Sequence, residues 1–306
     1  MHDVLPFVIT GLTTGAIYGL FGVGLVLTYK TSGIFNFAHG AIATAAAYLF
    51  YFLHVQHSWW WVPAAAVSVL VAGPLIGIIF QRMAARLSLQ RTAYKIVATV
   101  GVILLVQALA VIKFGSNPLL VRPFLPGGRK EAFQVAGVRV SWDQLEAVLF
   151  ALAAVSLLYA VFRLTKLGVT TRAVVEDADL AAMRSVNPVA VRRLAWITGS
   201  TFAAASGVLF VNFVGVDSIA LTFLVVTALG AAAVGAFSSI PLTFLGALAI
   251  GVIADISKKY TIDVPLLNGL PDALPFIILF IALLVTPRRK LVTPSVHTRP
   301  KEEYRT

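Results

Sequence analysis

Nine apolar runs follow one another along this sequence, at about 6–28, 34–53, 62–81, 94–113, 144–163, 194–214, 219–236, 239–256 and 271–286, and no other feature restricts the possible folds as strongly. A helix needs roughly 20 apolar residues to cross about 30 Å of hydrocarbon, and a chain in lipid must satisfy its own backbone polar groups. The pattern therefore predicts an all-α polytopic membrane protein. Composition points the same way: 59% of the 306 residues are hydrophobic and 12% are charged, too little polar surface to cover a soluble core. Several runs are short, so the expectation is about 8–9 transmembrane or re-entrant helices. The run near Gly33 is the leading candidate for a broken one, because Gly33 and Asn36 offer a break and a cap between two apolar pieces.

Charge sets the orientation. Lys and Arg number 24 against 13 Asp and Glu, a net +11 that would suggest nucleic acid in a soluble protein. Here the basic residues gather in a few connections: Arg82, Arg86, Arg91 and Lys95; then Arg163, Lys166, Arg172, Arg184, Arg192 and Arg193; then Arg288, Arg289 and Lys290. Placing all three groups in the cytoplasm sets the N-terminus outside and the C-terminus inside, and no nucleic-acid partner is expected. The sequence divides into one transmembrane domain, 1–286, and a basic cytoplasmic tail, 287–306, expected to be disordered beyond a lipid contact near Lys290. A connection at 114–143 faces outward despite Arg122, Arg129, Lys130 and Arg139, and its alternation around Ala136 and Gly137 predicts a small extracytoplasmic β-hairpin. Residues before the first run carry no Lys or Arg, so that run is expected to remain as a span rather than act as a secretory signal.

Three stretches carry more than hydrophobicity. In the first, Asn36 and His39, followed by Gly40, put an amide and an imidazole inside an apolar run, which points to a substrate pathway or a polar joint between helices. Just upstream Gly11, Gly15 and Gly19 recur every fourth residue, near Tyr18, giving one helix face on which another backbone can approach closely. In the second, Leu180, Met183 and Val186 follow Glu176, Asp177 and Asp179, which reads as a short amphipathic helix with its acids in the first turn, stopped by Pro188. From periodicity alone, a solvated helix on the membrane surface explains it equally simply. The third runs through Gly235, Ser239 and Pro241 to Gly246 and Gly251, a tight turn between close-packed helices. Enzyme signatures are missing: no Gly-Lys dipeptide exists, so no Walker A loop, and neither Gly-x-Ser-x-Gly nor His-Glu-x-x-His occurs. His54 and His57, beside Trp59, Trp60 and Trp61, read as interfacial anchors, and no metal site is expected. Asp255, Lys258 and Lys259 read as the outer end of a span.

Gly11, Gly15, Tyr18, Gly19, Gly24, Tyr29, Gly33 and the 36–40 stretch together closely resemble the opening of the permease subunits of branched-chain amino acid ABC transporters, the LivH/LivM type. The 172–187 stretch is similar to that family's cytoplasmic helix: Arg172, Ala173, Glu176, Asp177, Val186 and Asn187 match, while Ser185 stands where glycine is usual. In the third stretch Gly235, Ser239, Ile240, Pro241, Gly246 and Gly251 keep the pattern, and Ala236, Ser238 and Leu242 replace glycines.

The resemblance implies a permease subunit of an importer for branched-chain amino acids or related small polar solutes. It implies a second permease subunit, identical or related, two cytoplasmic ATPase subunits that hold ATP and Mg, and an extracytoplasmic substrate-binding protein. Membrane lipids surround it, and this chain itself needs no cofactor and is no enzyme. Asn36, His39, Gly40 and Tyr18 would line or brace the pathway, and Gly11, Gly15 and Gly19 would pack helices. Arg172, Glu176, Asp177, Asp179, Leu180, Met183 and Asn187 would couple to the ATPase within a 164–193 loop. The reading from another class is a stand-alone passive facilitator for urea, short amides or amino acids, in which the 172–187 loop would be dispensable.

Overall fold

The computed structural model describes residues 4–33, 36–87, 90–128, 132–135, 137–261, 264, 267 and 269–285. The predicted tail, with Arg288, Arg289 and Lys290, and also Arg129 and Lys130, lie outside the described residues. The chain begins with α1 (Leu5–Ser32), started by Pro6 in its first turn and ended by Gly33 at φ +66°, whose N–H reaches the Tyr29 carbonyl at 2.7 Å. Proline fits a helix start and a left-handed glycine fits its end, so both boundaries are written locally. The helices α2 (His39–Tyr51), α3 (Trp61–Ala66), α4 (Gly73–Leu87) and α5 (Thr92–Phe114) follow, with π-helical turns at Phe52–Gln56 and Val67–Ala72. Next come the strands β1 (Ala132–Val135) and β2 (Val138–Ser141), and then α6 (Trp142–Leu164), α7 (Lys166–Glu176) and α8 (Ala178–Met183). The chain closes with α9 (Pro188–Val214), α10 (Ser218–Val234), α11 (Ile240–Thr261) and α12 (Leu270–Val285).

Each predicted run lies on a helical segment. Six helical stretches among the described residues are long and apolar enough to cross a membrane, Trp61–Leu87 counting as one, and α10 and α12 are shorter apolar helices. The run expected at 34 enters its helix only at His39. Asn36 does not cap it with its side chain: the capping position is Ala38, and Asn36 contributes only its backbone carbonyl, which accepts from the His39 N–H at 3.1 Å. The predicted β-hairpin forms, with Phe133 opposite Val140 and Gln134 opposite Arg139, and Gly137 at φ +81° in its turn.

Long-range contacts sort the connections to two ends of the bundle. At the end where α1 begins, Leu119 bridges to Val216, and Phe124 stacks on Phe50 and Trp61 with ring centres 4.5 and 5.9 Å apart. At the opposite end the Lys30 ammonium donates to the Ser238 carbonyl at 3.2 Å, and Arg172 donates to the Phe162 carbonyl at 2.8 Å. The 114–141 connection is fastened at the first end by a side chain that was not singled out above. Asn212, 2% exposed near the end of α9, accepts from the backbone N–H groups of Phe124 and Leu125 at 2.8 and 3.1 Å. Its amide donates to the fully buried Asp143 carboxylate at 3.2 Å. An unpaired buried amide would cost about 1–3 kcal/mol, so this loop is held to α9 and α6 by a group that cannot be released cheaply.

The core is built on α1 and α9. Their most apolar windows are 67% and 72% buried, against 11% for α5, whose Leu104, Leu109 and Ile112 are exposed. In lipid there is little hydrophobic drive between helices, so association depends on close backbone approach. That approach is visible along α1. A methyl group on Gly11 would stand 2.6 Å from Val252 Cα of α11, and one on Gly15 would stand 2.8 Å from Leu248 Cα. On another face Gly24 meets Gly199 of α9, where a methyl group on either would lie 2.6 Å from the other's carbonyl oxygen. Asp255 lies near the end of α11, where Lys258 and Lys259 occupy the last turn, and it is only 2% exposed. It accepts from the Thr14 hydroxyl of α1 at 3.1 Å and pairs with Lys258, tying the two helices beside their glycine contact.

Gly15→Leu is expected to push α11 off α1 and lower the thermal midpoint of the detergent-purified chain, by the equivalent of about 1–3 kcal/mol or by loss of folding. Gly101→Leu, on α5 with nothing within 4 Å of the added carbon, is the control and should be close to neutral. Equal effects of the two would sink the backbone-contact account.

A buried polar joint and a two-helix projection at the Lys30 end

The joint lies at the start of α2. His39 is fully buried and Asn36 is 1% exposed. His39 sets its ring edge-on to Phe21 of α1, with centres 4.7 Å apart and planes at 77°. Its Nε2 lies 3.2 Å from where a Cβ on Gly24 would stand, so the imidazole fills the space beside the crossing of α1 and α9. The Phe21 backbone lies close by, yet no hydrogen bond of ordinary geometry reaches either ring nitrogen or either side-chain atom of Asn36 among the described residues. Gly40 brings α2 onto α10: a Cβ there would come within 2.6 Å of the Thr222 carbonyl. Thr222 in turn accepts from Gln107 of α5 at 3.0 Å, a polar link absent from the sequence reading. Tyr18 does not join this group. It packs against Ala231, Ala247 and Ile250, where α10 and α11 meet.

The projection is α7 with α8, at the Lys30 end. Its form corrects the single amphipathic helix expected at 176–187. Glu176 is the last residue of α7, and Asp177 leaves the helix with φ −152° and caps α8, accepting from Asp179 N–H and Leu180 N–H at 2.9 Å each. Asp and Asn prefer such capping positions because they satisfy backbone donors the helix cannot. Asn187 does the same for α9, accepting from Val189 and Ala190 N–H at 3.0 and 3.1 Å. Pro188 therefore opens α9 rather than stopping the helix before it. Leu180 and Met183 are 58% and 83% exposed, so α8 offers an uncovered apolar face.

The turn after α10 lies at the same end. Gly235 closes α10, Ser239 Oγ accepts from Leu242 N–H at 3.4 Å as α11 begins, and Pro241 follows in the first turn of α11. Tyr29 of α1 stacks edge-on to Phe237 at 5.6 Å, so this turn meets the end of α1. The two connections share one geometry. Val186 N–H returns to the Ala181 carbonyl and Ser185 N–H to Ala182; likewise Phe237 N–H returns to Ala232 and Ala236 N–H to Ala233. Each is the paired closure in which a left-handed residue follows the helix, and Ser185 and Ala236 hold φ +62° and +48°. Left-handed backbone costs a residue with a Cβ roughly 1–2 kcal/mol, so both turns carry strain where glycine would carry none.

The Asn212 clamp could have been found by the rule that singled out Asn36, an amide inside an apolar run, and the Ser141, Asp143 and Gln144 cluster is a helix start signal. At the Trp-rich connection His54 Nδ1 pairs with the Trp59 carbonyl at 2.8 Å and His57 Nδ1 with the Phe52 carbonyl at 3.0 Å. Both rings thus close the end of α2.

These features define a multi-pass membrane permease: a bundle with a polar joint inside and a capped two-helix projection at one end. The family model for the branched-chain amino acid transport system permease component matches residues 7–283, and the chain belongs to that family. It is 26% identical to the high-affinity branched-chain amino acid transport system permease protein LivH of Salmonella typhimurium over 306 aligned residues, with 94% of each chain covered. LivH of Escherichia coli K12 gives 26% over 297 residues with the same coverage, and BraD of Pseudomonas aeruginosa gives 24% with 97% of this chain and 98% of that one covered. Among solved structures, PsaBC from Streptococcus pneumoniae in complex with Fab superposes with a TM-score of 0.53 over 93% of each chain at 14% identity, a likeness of fold. The chain is thus a transport component of the inner membrane rather than an enzyme.

An imidazole buried without a partner destabilises its site. His39→Leu, which keeps the volume, should therefore raise the thermal midpoint of the purified chain, by the equivalent of about 1–3 kcal/mol. A clear fall would mean that the ring is bonded, for instance to a buried water.

Proposed function

We propose that this chain is one of two permease subunits of an ATP-driven importer, and that leucine, isoleucine, valine or related small polar solutes pass between them. The observation that carries this reading is the α7–α8 projection. It presents exposed Leu180 and Met183 on a helix capped by Asp177 and joined through a single turn to Asn187, the cap of the central helix α9. A partner gripping α8 would thereby hold α9, and through Gly199 also α1. The sequence holds no ATP-binding loop of its own, so the grip belongs to separate ATPase subunits carrying Mg-ATP. The names of the relatives support the cargo. An extracytoplasmic binding protein would deliver it, with exposed Arg122 and Arg139 available to an acidic docking face.

ATP binding would favour one arrangement of the two permeases and release after hydrolysis the other. The work done on the pore is the difference in the ATPases' affinity for the two states. Asn36 and His39 lie inside a single subunit, beneath the α1–α9 crossing, which fits a brace that lets the crossing move. Transport by His39→Leu should fall although its fold is no less stable; full transport would remove this role.

Wild-type chain purified in mild detergent from its own membranes should bring ATPase subunits and a second permease with it. The pair Glu176→Lys and Asp177→Lys should lose the ATPases and keep the permease partner. If no ATPase accompanies the wild type, the passive facilitator takes precedence, and flux into liposomes without ATP would follow.

The Lys30 end faces the cytoplasm in this reading, because Arg82, Arg86, Arg163, Lys166, Arg184 and Arg192 all lie there. The sequence holds no cysteine, so single cysteines report orientation cleanly. A membrane-impermeant maleimide added to intact spheroplasts should label Leu120→Cys and spare Met183→Cys, at positions 89% and 83% exposed. The opposite pattern would invert the topology.

A further inference from the structure

At the Lys30 end, α1, α6, α7 and the turn from α10 into α11 border a half-open cavity of about 300 Å³. Lys30, Arg163 and Arg172 line it, and no acidic residue does. Among the described residues none of the three enters an ion pair. Lys30 is partly buried and its ammonium donates to the Ser238 carbonyl, while Arg172 turns one guanidinium nitrogen to the Phe162 carbonyl. Arg172 and Lys30 repel one another across the space. Three cations around one cavity, Lys30 partly buried and Arg163 and Arg172 exposed at its mouth, leave an excess of positive charge that a bound anion would neutralise.

The rest of the lining narrows the choice of anion. Val26, Leu27, Tyr159 and Phe162 form an apolar wall on α1 and α6. Tyr159 is 39% exposed, so it reaches from the cavity to the surface of α6, an apolar span that is only 22% buried and so is open to an acyl chain. A small inorganic anion would use the cations and leave that wall idle. A ligand with a phosphate head and an acyl chain would use both.

We propose that this cavity binds the phosphodiester headgroup of an anionic membrane phospholipid, with Lys30, Arg163 and Arg172 around the phosphate and an acyl chain passing Tyr159 onto α6. The site touches α7, so the lipid would fix the angle at which the projection leaves the membrane. Basic pockets between helices on the cytoplasmic side are suited to such headgroups. The leaflet rests on the orientation proposed above; the binding itself does not.

The test is native mass spectrometry of the full chain purified in detergent with phosphatidylglycerol and phosphatidylethanolamine of matched acyl chains. The wild type should retain phosphatidylglycerol in preference. Lys30→Gln and Arg163→Gln should each cut that retention about fivefold or more, whereas Arg86→Gln, a cation on α4 at the same end, should leave it unchanged. Arg163 is exposed, so its variant folds even if the partly buried Lys30 variant does not, and helical content by circular dichroism checks both. Millimolar inorganic phosphate should not displace the lipid. Equal loss from Arg86→Gln would mean that anionic lipid only rings the protein. No loss from Arg163→Gln, no headgroup preference, or displacement by phosphate would each overturn the site. Since no ATPase is present, failure here leaves the co-purification and labelling outcomes untouched.

Discussion

Backbone contact along α1 is the constraint on which the rest of the bundle depends. Inside lipid a leucine gains little by leaving hydrocarbon for protein, so helices must meet where backbones can touch and dispersion and dipoles act at short range. Gly11 and Gly15 give α11 that approach, and Gly24 gives it to α9 on another face. With α1 held between them, α2 is placed by Gly40 against Thr222 and by His39 beside the α1–α9 crossing. The outer segments can then be little buried, as α5 is, because nothing central depends on them.

Polar groups are distributed with the same economy. Thr14 and Asp255 tie α1 to α11, Gln107 and Thr222 tie α5 to α10, and Asn212 of α9 ties the 114–141 connection to α6. Each is a group that would be costly to leave unpaired at that depth, and each has found a partner on another helix. Asn36 and His39 are exceptions whose side chains are wholly unpartnered among the described residues, as is Ser200 Oγ on the neighbouring α9, while Arg192 Nε near the start of α9 is also unpartnered. Their polarity does not stabilise the arrangement seen, which is why their use is sought in another arrangement of the helices.

Much of this fold is legible in the sequence because membrane helices announce themselves by length and hydropathy, and because Gly11, Gly15 and Gly19 recur at the helical period. The hairpin was equally readable from alternation around Gly137. What escaped was decided between distant segments. Nothing local to Asn212 says that it will hold the backbone of Phe124, 88 residues away, and nothing local to Tyr18 says that it will turn to α10 and α11 rather than to His39. The 176–187 stretch was misread for a different reason. Leu180, Met183 and Val186 have helical spacing, but Asp177 competes for backbone donors as a cap and so divides the segment. Pro188 is ambiguous by nature, since proline ends one helix and starts another with equal ease, and only the Asn187 cap decides.

The length of α9 has a mechanical consequence. Its 27 residues run unbroken from the Asn187 cap to the Asn212 clamp. At 1.5 Å per residue it is a rod of about 40 Å, so a tilt of about 5° at the capped end would carry the other end sideways by about 3.5 Å. The 114–141 connection is fastened to that far end through Phe124 and Leu125, so it would be carried along. A small displacement at one end of the bundle would thus appear, enlarged, as a shift of that connection at the other.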